Sequence, residues 1–221
     1  THPRVLGALN EDERARWVDL CLRAIRGRDH QLGDLLRWRV NEHPEHPLFA
    51  ERGTARDGDW SYAAVHRRVR SFAAALWQIP AADGRTPRIA LWTANGLEGA
   101  CADLACLTHD LFVVPLSVHL SDEELTWICD RLSIDAIVAD TDDRVRRTLR
   151  LRSKTGRRFE VLALVPGHSV ETGEATLLAE RAAEAGAPRV DEILEARPRL
   201  GLDEPCTAMF TSGSTGRPKG L

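Results

Sequence analysis

Met209-Phe210-Thr211-Ser212-Gly213-Ser214-Thr215-Gly216-Arg217-Pro218-Lys219-Gly220 decides how the rest of this sequence is read. From Thr211 to Gly220 it sets three glycines, four hydroxyls and one lysine in ten positions, directly after an apolar run. Glycine tolerates positive φ and lets the main chain approach a ligand closely, so such a loop can aim several backbone N–H groups at one point. The hydroxyls add donors, and Lys219 adds a mobile positive charge. That concavity suits an anion, above all a polyphosphate. It is not a Walker A loop, because Gly216 precedes Arg217-Pro218 and Lys219 precedes Gly220, where that pattern needs Gly-Lys-Ser/Thr. A dinucleotide fingerprint of the form Gly-x-Gly-x-x-Gly is also missing from the sequence. A flexible Ser/Gly linker shares the composition, so composition alone leaves both readings open.

Working outward, the segments before the loop alternate between strand and helix patterns. Asn10 is a fair N-cap for a helix over Glu11–Ile25, with Trp17, Leu20, Cys21 and Ala24 on one stripe. A second helix over Leu32–Val40 ends at Asn41 to Pro47, where two prolines forbid continuation. Pro47–Ala50 reads as a short strand and Asp57-Gly58 as a hairpin turn. Ser61 caps a helix to Gln78, striped by Val65, Val69, Phe72, Ala73 and Leu76. Strands are expected at Arg88–Trp92, Leu111–Leu116, Ile134–Ala139, Phe159–Val165 and Thr207–Phe210. Helices are expected at Leu97–Thr108, from the Ser121/Glu124 capping box to Leu132, at Asp143–Arg152, Ala175–Ala185 and Val190–Ala196, with a loop from Gly167 to Gly173. Long crossovers between apolar strands imply parallel β-α-β units, hence a layered α/β fold built on a parallel sheet. The Ser/Gly loop then follows the carboxyl end of a strand, where open α/β sheets bind ligands.

The order of residues in Phe210–Gly220 resembles the phosphate-binding signature of the adenylate-forming (AMP-binding) enzyme superfamily, which includes acyl-CoA synthetases and the adenylation domains of peptide synthetases. Less specific likenesses extend upstream, at Trp60 to Val65, Arg88 to Asn95, Asp103 to Leu107, Val113 to Leu116 and Ser121 to Leu132. The sequence departs at His109-Asp110-Leu111, where the family turns on Gly, and Asp110 is expected to take the left-handed conformation instead. Leu221 replaces the family's usual Val. The resemblance implies that Thr211, Ser212, Ser214, Thr215 and Lys219 hold the β- and γ-phosphates of ATP while Gly213 and Gly216 shape the loop, with Lys219 and Thr215 most directly catalytic. It implies ATP with Mg2+ and CoA as co-substrate, a carboxylic acid activated as an acyl-adenylate, and a CoA or carrier-protein thiol as acceptor. A fatty acyl-CoA synthetase is the reading that follows. An adenylation domain serving a carrier protein and a short non-catalytic nucleotide-binding module are the alternatives. Residues 1–30 read as a helical extension and 31–221 as the N-terminal part of the family's AMP-binding domain. The family's other functional residues lie downstream of the loop. The 221-residue chain is therefore expected to be part of a longer enzyme, inactive alone, with no strand after the loop for it to pack on.

Composition narrows the classes. Hydrophobic residues at 43%, charged residues at 29% and a net charge of −3 describe an ordinary globular protein with no global reason to bind nucleic acid. Five scattered cysteines, Cys21, Cys101, Cys106, Cys129 and Cys206, read as reduced core thiols of a cytoplasmic protein. Cys101 and Cys106, five apart on a helix, point about 140° away from each other and cannot converge on one metal ion, so no metal ligands are assigned. Eight of the fifteen residues from Arg144 to Arg158 are Arg or Lys. That run is either a solvated helix face or a peripheral membrane contact, and it lacks the aromatics of a nucleic-acid stacking surface.

Overall fold

The computed structural model describes residues 7–53, 58–81, 84–211 and 219–220. Helix α1 (Glu11–Gly27) begins where Asn10 Oδ1 accepts the Glu13 N–H at 2.9 Å and the Glu13 carboxylate accepts the Asn10 N–H at 2.9 Å. Helix α2 (Leu32–Glu42) stops before His43-Pro44, because a proline disfavours helical backbone in the residue ahead of it. Strands β1 (Pro47–Glu51) and β2 (Gly58–Ser61) pair antiparallel. Asp57, the other half of the expected turn, lies outside the described residues. Ser61 Oγ then accepts the Ala64 N–H at 3.3 Å and opens α3 (Tyr62–Trp77).

From there the alternation runs β3 (Arg88–Trp92), α4 (Leu97–Thr108), β4 (Phe112–Pro115) and α5 (Asp122–Leu132). It continues through β5 (Ala136–Ala139), α6 (Asp142–Thr155) and β6 (Glu160–Ala163). With β7 (Thr176–Leu177) these strands form one five-stranded parallel sheet, in the order β4-β3-β5-β6-β7. This is the layered α/β architecture expected from the apolar runs. Ile89 and Leu91 join a core with α3 and α4 on one face, while Ala90 and Trp92 join a second core with α5 and α6 on the other. A strand buried on both faces must be apolar at every position, which is why these runs show no alternation.

Two expected elements need correction. The expected loop at Gly167–Gly173 contains a short helix, α7 (His168–Glu171), seated where the Ser169 N–H donates to Asp142 Oδ1 at 3.0 Å. The expected helix from Ala175 begins instead with β7, followed by α8 (Leu178–Glu195), which carries both expected helices across a kink at Gly186 (φ 66°, ψ 154°). Two residues are too short for periodicity to reveal. Pairing with Leu162 and Ala163 makes them a strand. Asp110 does take φ 60°, and its Oδ1 accepts the Leu200 N–H at 3.2 Å. Cys101, Cys106 and Cys129 are buried, but Cys21 is half-buried and Cys206 exposed, so only three of the five are core thiols. Burial pushes Cys101 up to about 12 and Cys129 up to about 11, which keeps both un-ionised.

Candidate active-site cleft and phosphate loop

The segment that delivers the Ser/Gly loop is fastened to the sheet before the loop begins. Gln31 Nε2 donates to the Leu200 carbonyl at 2.6 Å, the Val113 N–H to the Cys206 carbonyl at 3.0 Å, and the Ala208 N–H back to the Val113 carbonyl at 3.1 Å. Thr207 thereby bridges Val113 in parallel, extending the sheet beyond β4. Because the bridge is parallel, the chain leaves it at the carboxyl edge of the sheet. Phe210 anchors the exit with an edge-to-face contact on Trp127, 5.9 Å between centroids at 81°. Next, β8 (Phe210–Thr211) pairs antiparallel with β9 (Lys219–Gly220), in the register Phe210 to Gly220 and Thr211 to Lys219. The expectation that no strand follows the loop is therefore wrong, since its own last residues return to pair with its entrance. A Cβ on Gly220 would sit 3.1 Å from Phe210 Cε1, so the pairing favours glycine there. Of the expected phosphate-binding residues, Thr211 and Lys219 are set opposite each other by backbone pairing. Ser212, Gly213, Ser214, Thr215 and Gly216 lie outside the described residues.

The same edge holds a cleft of about 640 Å³. Its floor is Leu91, Pro115 and Leu116 at the ends of β3 and β4, and its wall is the Thr93–Gly96 turn with the first turn of α4. That turn is pinned where the Ala94 N–H donates to Asp140 Oδ2 at 2.7 Å, while Asp140 is itself ion-paired with Arg144. Gly99 lets α4 lie against the turn, since a Cβ there would come 2.9 Å from Thr93 Oγ1. Arg68 holds Glu98 with two hydrogen bonds of 2.7 and 2.6 Å. Sequence reading missed two lining residues, Glu51 and Asp103, each with a buried carboxylate oxygen that makes no hydrogen bond among the described residues. Burial pushes the Asp103 carboxyl up. The signal was an acid inside the small apolar helix Cys101-Ala102-Asp103-Leu104-Ala105-Cys106.

The Arg144–Arg158 run divides into two halves. Arg144, Arg146, Arg147 and Arg157 pair with Asp140, Asp142, Asp122 and Asp130, and Arg147 also lies over the Trp92 ring at 4.6 Å. Arg150, Lys154 and Arg158 face solvent, and Arg152 is half-buried. No helix among the described residues is long and apolar enough to cross a membrane.

Comparison with known proteins agrees with this geometry. The model of the AMP-binding enzyme family matches residues 36–221. Over 168 residues the chain is 29% identical to the long-chain-fatty-acid–CoA ligase FadD15 of Mycobacterium bovis, covering 74% of the chain and 26% of that protein. It is 26% identical over 170 residues to long chain acyl-CoA synthetase 1 of Arabidopsis thaliana, covering 73% and 24%. The chain thus spans about a quarter of the length of these curated relatives. Among solved structures, a benzoate CoA ligase of Burkholderia xenovorans superposes with a TM-score of 0.61 at 16% identity, covering 86% of the chain and 33% of that structure. The O-succinylbenzoate coenzyme A synthetase of Bacillus subtilis, in complex with AMP, superposes at 0.54 and 18% identity, covering 84% and 40%. At such identities the superpositions speak to the fold.

Proposed function

The chain belongs to the AMP-binding enzyme family, and from that premise we propose that it supplies the phosphate-binding part of an ATP-dependent acid–thiol ligase acting on fatty acids. The observation that carries this is the β8–β9 pairing, which closes the Ser/Thr/Gly loop on itself at the carboxyl edge of the parallel sheet, the edge that also holds the cleft. The names of the curated relatives support a long-chain acid and CoA.

A carboxylate oxygen attacks the α-phosphorus of ATP, the bond from that phosphorus to the α,β-bridging oxygen breaks, and pyrophosphate leaves with the electron pair. A CoA thiolate then attacks the acyl carbonyl and AMP departs. The loop's share is positioning and charge neutralisation. Thr211, Ser212, Ser214 and Thr215 donate to the departing phosphates, Gly213 and Gly216 let the backbone approach them, and Lys219 offsets their growing charge. Among the described residues no group of three His, Cys, Asp or Glu side chains is arranged to hold a metal ion, so no step is assigned to Mg2+.

In an enzyme that carries this chain, Lys219→Ala should lower acid-dependent ATP–pyrophosphate exchange by about 10²-fold, and Thr215→Ala should also lower it. Unchanged exchange in Lys219→Ala would remove that residue from the mechanism. A second reading concerns location. The exposed cations Arg150, Lys154 and Arg158 favour peripheral contact with an anionic bilayer. Replacing all three with Gln should abolish sedimentation with phosphatidylserine vesicles, and retained sedimentation would sink that reading.

A further inference from the structure

We propose that α1 is a dimerisation element, pairing antiparallel with α1 of a second copy of this chain about a two-fold axis between Asp19 and Leu20. The helix offers an unusual surface. None of its 17 residues is buried, and Trp17, Val18, Leu20, Leu22 and Ile25 are all exposed. At 100° per residue these side chains share one broad arc with Cys21 and Ala24. Asp19 and Arg23, ion-paired at 2.6 Å, lie on the opposite side. A helix of this length is marginal in water without tertiary contacts, and its capping box fixes the first turn without covering the arc. A contiguous apolar face of this kind marks a docking surface.

Charge selects the occupant. Glu11, Asp12 and Glu13 occupy the first turn, Arg26 the last, and Arg28 caps the end. A parallel pair would set acids on acids and arginines on arginines. An antiparallel pair sets acids on arginines at both ends, because a two-fold interface makes every contact twice. With the axis between Asp19 and Leu20, Glu11 lies level with Arg28 of the second copy and Glu13 with Arg26. Trp17 then falls level with Leu22, between the turns of Leu20 and Ala24, where interdigitating ridges place a large side chain. Glu11 and Arg28 are both exposed and flank the apolar arc. An anionic bilayer is the poorer match, since three acids in the first turn would face it. A helix of about 25 Å covers only part of the roughly 800 Å² a side that a stable complex buries, so Kd should be micromolar rather than nanomolar.

The test is sedimentation velocity of the 221-residue chain from about 1 to 300 µM, concentrations that bracket a micromolar Kd. A reversible monomer–dimer equilibrium is expected. Leu20→Glu, which enters the interface twice, should weaken it at least about 100-fold. Glu11→Lys and Arg28→Glu should each weaken it about tenfold, and the double variant should restore it, because the exchanged charges again meet across the axis. Thermal unfolding of every variant at the lowest concentration should match wild type, since α1 buries none of its residues. The proposal is overturned if the chain stays monomeric throughout, if Leu20→Glu dimerises like wild type, or if the double variant is no better than the single ones. Binding to phosphatidylcholine vesicles by a strictly monomeric chain, lost in Leu20→Glu, would assign the face to a bilayer and overturn it equally.

Discussion

Helices α1 and α4 invert the usual expectation about which helix is the better made. α1 has a complete capping box, three acids in its first turn and Arg26 in its last, yet none of its residues is buried. Trp17 is 44% and Leu20 65% exposed. α4 starts at Gly96 without a side-chain cap and carries no basic residue in its last turn, yet six of its residues are buried. A cap contributes about 1 kcal/mol, whereas burying one large apolar side chain contributes about 1.5–3 kcal/mol. Local signals mark where a helix begins. Burial determines whether the fold depends on it.

The largest effect is expected where α4 meets the sheet. Ile89 on β3 is fully buried in the core that α4 covers, so Ile89→Ala should cost roughly 2–5 kcal/mol in urea unfolding. A loss under 1 kcal/mol would mean that this core can collapse around the cavity.

Next is a pH effect at the end of α4. His109 is half-buried, and desolvation, aided by Arg70, His66 and Arg37, lowers its pKa to about 4 from an ordinary 6.5. Between those values the unfolded chain takes a proton that the folded chain refuses, so stability should fall as pH drops from about 6.5 toward about 4. The loss is on the order of 3 kcal/mol. Asp103 and Asp110, both raised, act with the opposite sign as pH climbs above 3.8, so the informative measurement is the difference between wild type and His109→Gln. Parallel pH profiles for the two proteins would show that His109 does not titrate as described.

A smaller loss is expected where α2 touches α4. A Cβ on Gly33 would lie 2.5 Å from the Thr108 carbonyl oxygen. Gly33→Ala should therefore cost about 1–3 kcal/mol by forcing the helices apart, despite alanine's better helix propensity. A stabilised variant would show that α2 moves freely on α4. The smallest effect belongs to α1: Trp17→Ala and Asn10→Ala should each shift global unfolding by less than about 0.5 kcal/mol. If Trp17→Ala cost as much as Ile89→Ala, α1 would be packed in solution and the comparison would fail.

The same division explains what could be read in advance. The span of α4, Leu97–Thr108, and the Ser121 capping box were legible because both are local. The left-handed Asp110 was legible through the resemblance, which puts a glycine turn at that position. Strand β7 was not, since Thr176–Leu177 owes its identity to Leu162 and Ala163. The return of Lys219-Gly220 onto Phe210-Thr211 was missed for the same reason. The Arg144–Arg158 run looked uniform along the chain, but aspartates on α5, on α6 and beside β5 neutralise half of it.

By itself the sequence determined the α/β class and the family, because apolar run length and the order of residues in a glycine-rich loop are properties of neighbouring positions. The tertiary structure alone decided that the loop is strapped by its own ends to the carboxyl edge of the sheet. It also placed Asp103 between two cavities and, among the described residues, left Arg39 without a carboxylate partner. Those facts depend on pairing and burial between residues far apart in sequence, and the pattern along the chain carries no record of such partners.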